Sequence, residues 1–406
     1  MSVVGDTRGY VPKHLTGAPP RPARPRWPIP LLAMGVLAGI GGFVALDSPD
    51  RPEMATDTTL AADSDPIEVC TRASLEDRAG LVLVVGLPGV TDASDPLVDR
   101  LVRAGVGGVM LRDENIVDTE QAAGLVAGLR ARLGERLLVA IDDEGGRVTA
   151  MRALDQPVRS ARTLTRLGAE EAEEFGADMG EVARSIDVDW VFAPVVDLDD
   201  GPAQGVIGDR SFGADPLEVS EVAGAFADGL RGAGVAVTAK HFPGHGGSGD
   251  PHVGVAVDDS TLAELEEADL VPFEALIDDG AEAMMVGHVA YPEIWGDQPA
   301  SLVPEVYELL RAKGFDGVAI TDAVGMGAVH ARYGFDVAPA MAIGAGADAV
   351  LVNQGQEIDA LHQGLTDAVR SGRLDEARLD QAAGRVLALR GQSTEGNVCP
   401  DVATDS

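Results

Sequence analysis

Between residues 81 and 353 the chain alternates two kinds of pattern. Short uninterrupted apolar runs recur as "LVLVVGL" (81–87), "VGGVML" (106–111), "LLVAID" (137–142), "DWVFAP" (189–194), "AVTAKH" (236–241), "AMMVGH" (283–288), "GVAITD" (317–322) and "ADAVLVN" (347–353). Amphipathic stretches lie between them, among them "DTEQAAGLVAGLRARLG" and "DPLEVSEVAGAFADGLRGAG". Continuous apolar runs predict strands covered on both faces, and the interleaved helical period supplies the cover. Eight such units predict a (β/α)8 TIM barrel. A doubly wound open sheet would carry a Gly-rich nucleotide turn after its first strand, and "GLPGV" stands there instead. The last helices, from about Gln356 to Leu389, close the barrel.

The N-terminus has a different character. Residues 1–26 are basic, with Arg8, Lys13, Arg21, Arg24 and Arg26 against Asp6. An uncharged apolar run follows over 27–46, then a polar stretch over 47–68 with no apolar period. About 20 apolar residues suffice to span a bilayer, and basic residues before them predict a cytoplasmic tail. The reading is a basic tail (1–26), a transmembrane anchor or signal segment (27–46), a flexible linker (47–68), a TIM barrel (69–399) and a tail (400–406). A signal peptide cleaved after export is the alternative, although no sharp cleavage site follows. The expected location is the cell membrane, single-pass, with the barrel outside.

Composition narrows the function. The net charge of -35 leaves no basic surface for nucleic acid. Two cysteines, Cys70 and Cys399, bracket the barrel. Outside the cytoplasm they are expected to form a disulfide, since the ends of such a barrel lie close together. Neither neighbours a His, which argues against thiol catalysis.

The active site of a barrel of this kind lies at the carboxyl ends of its strands. Run 3 ends in Asp142, run 5 in Lys240 and His241, run 6 in His288, run 7 in Asp322 and run 8 in Asn353, while run 4 leads on to Asp197. The first two runs end without ionisable groups. One terminal Asp is commonly a helix cap or a turn residue; ionisable groups on five successive strands, 3 to 7, point to one site. Lys240 stands out among only three lysines in a chain with 31 Lys and Arg, and "KHFPGHGGSGDPHVG" follows it with a Gly-rich loop and Asp250-Pro251-His252. A carboxylate paired with a proton donor is what glycoside hydrolysis requires.

"IDDEGGRV", "FAPVVDL", "VIGDRSFG", "KHFPGHG" and "AITDAVGMGAV" occur in the order seen in glycoside hydrolase family 3. Over about residues 70–392 the chain resembles the single-domain bacterial β-N-acetylglucosaminidases of that family. The resemblance implies a retaining β-N-acetylglucosaminidase that removes terminal β-linked GlcNAc from peptidoglycan fragments or related glycans. It places Asp322 as nucleophile, His252 as acid/base and Asp250 as its orienting partner. Asp142, Arg210, Lys240 and His241 fall where the family binds the sugar. Arg147 and His245 read as loop-shaping residues, and His288 as either a rim residue or a strand end. No metal or cofactor is expected, and the chain reads as a monomer. Two departures stand out. The family often has Asp-Gln-Glu-Gly-Gly where this chain has Asp142-Asp143-Glu144-Gly145-Gly146, which predicts an added charge near the first sugar subsite or just outside it. "GGSG" replaces a short Asp/Thr-rich segment before the dyad. The competing readings are a family member of other specificity, a phosphorylase, a metal-dependent barrel hydrolase and an inactive wall-binding protein.

Overall fold

The computed structural model describes residues 73–246, 249–250 and 254–392. The expected anchor (27–46), the linker, Cys70, Cys399, His252 and the C-terminal tail lie outside the described residues. No helix among the described residues is long and apolar enough to cross a membrane.

Eight parallel strands form one sheet in the order β7-β6-β5-β4-β3-β2-β1-β8. They are β1 (Leu83–Gly86), β2 (Gly108–Leu111), β3 (Leu138–Ile141), β4 (Trp190–Val191), β5 (Ala236–Phe242), β6 (Ala283–Val286), β7 (Val318–Thr321) and β8 (Val350–Val352). A parallel bridge between Ile320 and Ala349 joins the two ends, so the sheet closes into the expected (β/α)8 barrel. Helices Ile358–Arg370 and Glu376–Gln392 complete the wall.

The apolar runs become strands because both of their faces are buried. Val84, Leu138, Ala140, Trp190, Met285, Ile320 and Leu351 fill the barrel interior. Their neighbours Leu83, Val85, Val139, Val191, Met284 and Val350 pack outward beneath the helices. This is the two-residue alternation of a pleated strand with apolar partners on each side. Trp190 lies edge-on to Phe192 at 4.9 Å, and its indole N–H donates to Thr238 Oγ1 at 2.6 Å. Run 189–194 yields a strand of only two residues, although Phe192 N still donates to Ile141 O at 2.9 Å and Val195 bridges to Lys240.

Many of the chain's acids cap helices. Asp95, Asp118 and Asp215 each accept a backbone N–H from the first turn that follows, satisfying donors that no helical carbonyl reaches. Helices Ala169–Ser185 and Pro216–Gly232 approach closely at glycines: a Cβ on Gly229 would stand 2.1 Å from Glu173 O.

At the amino end of the barrel three acids precede even-numbered strands and reach back to odd ones. Asp189 accepts from Val139 N, Glu282 from Val237 N and Asp348 from Ala319 N, each at 3.0 Å. Asp348, fully buried, also receives Arg311, Arg378 (2.8 Å) and Arg385 (3.2 Å). Replacing it with Ala leaves three cations around an empty site, and the expected loss is about 3–5 kcal/mol of unfolding free energy. Urea denaturation measures this; a loss under about 1 kcal/mol would show that the carbonyls around the arginines hold this end together without the carboxylate.

Candidate active site

At the carboxyl end of the barrel a cavity of about 120 Å³ collects residues from β2 to β8 and the loops that follow them. Asp142, Arg210, Lys240, His241 and Asp322 line it, and Phe192, Met285 and Leu351 form its apolar floor. A second cavity, about 160 Å³, lies at the opposite end beside Asp189 and Glu282. The acids there are already engaged with strand N–H groups, so the chemistry belongs to the first cavity.

Glu144 stands at the centre of the charged side. Its side chain is 3% exposed, and it accepts from Lys240 Nζ at 2.6 Å and from Arg210 through Nε (2.6 Å) and Nη2 (2.7 Å). Lys240 Nζ also donates to Asp142 Oδ1 at 2.8 Å. Burial raises the carboxyl of Glu144, but Arg210 and Lys240 outweigh it and hold the group well below the ordinary carboxylate range. Burial likewise works against the Lys240 ammonium, and Asp142 and Glu144 more than offset it, so its pKa is raised. In the sequence Glu144 reads only as part of a motif. Its partners are 66 and 96 positions away, beyond the reach of any local pattern. Arg210 spends most of its planar fork on Glu144, which orients it from behind.

His241 owes its position to an irregularity in β5. Lys240 pairs with Met285 and Phe242 with Val286, so His241 is the extra residue of a bulge, a device that re-aims a side chain beside active sites. Its Nδ1 meets Asp197 Oδ2 at 2.7 Å; Asp197 Oδ1 accepts the backbone N–H of His241 (3.1 Å) and of His245 (2.8 Å). Asp197 is 1% exposed. Burial raises its carboxyl, but His241 leads the groups that bring it below the usual range. His245, expected to shape the loop, stands in the cavity wall, and burial lowers its pKa. Arg112, directly after β2, also lines the cavity, although the first two strands were expected to contribute no ionisable group. Arg147 does shape a loop: its Nη2 donates to the carbonyls of Gly205, Val206 and Ile207.

Asp322 follows β7. Its Oδ1 accepts Ala323 N–H at 2.7 Å, and Oδ2 has no hydrogen-bond partner among the described residues. Burial raises its carboxyl, yet His288, His241, the Ala323 N–H and Lys240 together hold it below its ordinary value. It is thus an ionised carboxylate with one oxygen fixed and the other available. Asp250 is exposed and does not line the cavity wall, and His252 lies outside the described residues. Among the described residues no group of three or more His, Cys, Asp or Glu is placed to hold a metal ion.

Asp143 decides between the two positions expected for the added charge. It adds no charge to the cavity, because it is fully buried in the turn behind it, accepting from Gly145 N (3.0 Å), Met151 N (2.8 Å) and Gln156 Nε2 (2.8 Å). Burial pushes its carboxyl up from 3.8 to about 6 against these bonds. The folded state therefore holds the proton more tightly. The contribution is full below the unfolded pKa and lost as pH rises through about 6. The stability gap between wild type and Asp143→Asn should accordingly move in favour of the variant by about 2 kcal/mol from pH 4 to 7. Denaturant titrations at the two pH values test this, and a gap independent of pH contradicts it.

Comparison with known proteins agrees with this geometry. The family model described as the glycosyl hydrolase family 3 N-terminal domain matches residues 76–389. The protein named beta-hexosaminidase LpqI from Mycobacterium tuberculosis (strain ATCC 25618 / H37Rv) is 35% identical over 382 residues, 88% of this chain and 97% of that one. The solved structure of M. tuberculosis LpqI superposes with a TM-score of 0.75 at 36% identity, covering 81% of this chain and 97% of that one. A glycoside hydrolase family 3 beta-N-acetylglucosaminidase from Paenibacillus sp. str. FPU-7 gives a TM-score of 0.75 at 33% identity over 82% of this chain, which spans 65% of that longer chain. The chain belongs to glycoside hydrolase family 3.

Proposed function

We propose that the protein is a retaining β-N-acetylglucosaminidase that releases terminal β-linked GlcNAc. Relatives named beta-hexosaminidase and neighbours titled beta-N-acetylglucosaminidase support the substrate class. The observation that carries the chemistry is Asp322: an ionised carboxylate in the cavity with Oδ1 tied to Ala323 N–H and Oδ2 without a partner among the described residues.

In this reading Asp322 Oδ2 attacks the anomeric carbon while the bond to the leaving oxygen breaks, giving a covalent glycosyl-enzyme. His252 donates a proton to the leaving oxygen, then takes one from the water that attacks the anomeric carbon and frees Asp322. Asp250 orients the His252 ring and stabilises its cationic form. Both roles rest on the family motif. Lys240 and Asp142 meet the sugar hydroxyls, with Arg210 and Glu144 fixing their positions, and His241 presents its Nε2 edge from the bulge. The natural substrate is proposed to be a peptidoglycan fragment, with residues 27–46 anchoring the enzyme and the barrel outside the cell; this rests on the sequence. Phosphate in place of water is the second reading. Release of GlcNAc 1-phosphate from a GlcNAc disaccharide in phosphate buffer, in place of free GlcNAc, would favour it.

Asp322→Asn should lower kcat on a chromogenic β-GlcNAc glycoside by more than about 10³-fold with the fold retained. A variant keeping a tenth of the activity would remove Asp322 from the nucleophile's role. His252→Ala should lose most on substrates with poor leaving groups. Azide should restore its turnover of activated glycosides and yield a β-glycosyl azide. Equal losses on both substrate types without azide rescue would make His252 a binding residue.

A further inference from the structure

His288 is fully buried two residues beyond β6 and forms no part of the cavity wall. Its Nε2 lies 3.0 Å from Ala323 O and its Nδ1 2.7 Å from Ser301 Oγ. The carbonyl only accepts, so Nε2 carries the proton. Whichever way the Ser301 hydrogen points, the ring is held at both nitrogens. Ser301 is itself fixed: its N–H donates to Gly287 O at 3.0 Å, and Tyr307 Oη donates to Ser301 O at 2.8 Å. On the other side of the same residue, Ala323 N–H donates to Asp322 Oδ1 at 2.7 Å. The backbone around this turn is also tied: Asp322 N donates to Val286 O, Val324 N, in the same peptide plane as the Ala323 carbonyl, to Leu351 O, and Met326 N to Ala323 O itself at 2.9 Å, so His288 supplies the side-chain bond to a carbonyl that the backbone also holds.

We infer that His288, backed by Ser301, is a positioning residue for the nucleophile: by holding Ala323 O it orients the residue whose N–H fixes Asp322 Oδ1, and so aims Oδ2 at the anomeric carbon. His288 does not touch the sugar, so it acts on the chemical steps and not on ground-state binding. A rigidly buried imidazole suits this, because its ring transmits the position of one hydrogen-bonded wall, Ser301, to another, Ala323, without a rotatable bond between its two nitrogens. The inference rests on Asp322 being the nucleophile.

The experiment compares His288→Gln, whose terminal amide can reach the Nε2 position and donate to Ala323 O, with His288→Asn, whose shorter amide reaches only the Nδ1 position. His288→Asn should lower kcat on the order of 10- to 100-fold, the scale of a misplaced reacting group. His288→Gln should recover most of that loss. Inhibition by N-acetylglucosamine should stay within about twofold of wild type in both, as expected when only transition-state contacts are lost. Ser301→Ala leaves the ring in place and should give a smaller loss in kcat with the same inhibition constant, so it serves if His288→Asn does not fold. A 5-fluoro-GlcNAc glycosyl fluoride separates the nucleophile assignment from the positioning role. An adduct mapping to a residue other than Asp322 overturns the nucleophile assignment. An adduct on Asp322 that forms in His288→Asn as fast as in wild type overturns the positioning role alone. Equal loss in the Gln and Asn variants, with weakened inhibition and a lowered melting temperature, would reduce His288 to packing.

Discussion

A carboxylate in a barrel mouth, closed off from water, survives as an anion only if cations reach it, and Glu144 is held this way by Lys240 and Arg210. Removing three charges from solvent costs several kcal/mol each, recovered only through short and well-directed contacts. That constraint organises the site. Glu144 reaches its partners because the chain turns sharply after it at Gly145 and Gly146, with φ of 75° and 58°. A Cβ on Gly145 would stand 2.5 Å from Arg159 O. Arg210 arrives through a loop tied down by two other arginines: Arg147 gathers the carbonyls of 205–207, and Arg162 those of Asp199, Gly201 and Gly208. Lys240, the cation that meets the sugar in the proposed mechanism, is thus placed by a carboxylate that does not line the cavity.

The two ends of the barrel solve opposite problems. At the amino end the second N–H of β3, β5 and β7 is met by a side chain, and Asp189, Glu282 and Asp348 supply it from the residue before β4 and β6 and shortly before β8. Arginines then neutralise two of those acids, Arg130 at Asp189 and three arginines at Asp348. These acids are engaged in closing the structure, Glu282 through the Val237 N–H alone. At the carboxyl end each charged network leaves something exposed to the cavity: Asp322 keeps an oxygen, and Lys240 and Asp142 keep part of their hydrogen-bonding capacity. The same residue types build both ends, and the difference between structure and site lies in what remains unsatisfied.

The barrel was legible in the sequence because its strands are buried on both faces, which makes them uninterrupted apolar runs. β4 was the weakest, and its run shortened to two paired residues because the chain leaves the regular ladder at Phe192. At the site, Asp142, Lys240, His241 and Asp322 could be read from strand ends, and these residues do share one cavity. Asp143 could not, since whether a carboxylate faces the cavity or the turn behind it depends on Gln156 and Met151, which no local pattern joins to it. Arg112 was missed because it stands one residue past its apolar run, and His245 because a loop residue's direction is set by Asp197, 48 positions earlier. The bulge that turns His241 has no signature apart from the partner strand.

The rarity of lysine in this chain acquires a physical reason at position 240. Glu144 meets Arg210 edge to edge, the planar two-bond geometry at which guanidinium excels. Position 240 makes a different demand. One cation must reach Glu144 Oε1 at 2.6 Å and Asp142 Oδ1 at 2.8 Å, on two separate carboxylates, from a strand inside the barrel. A flat fork would align with one of them and turn its edge from the other. An ammonium offers three tetrahedral hydrogens on a stem that fits a narrow interior. Two of those hydrogens serve the carboxylates, and the third has no partner among the described residues. That hydrogen is what a sugar hydroxyl entering the cavity would meet, so the residue that ties the charged network together is also the one that network leaves ready to bind.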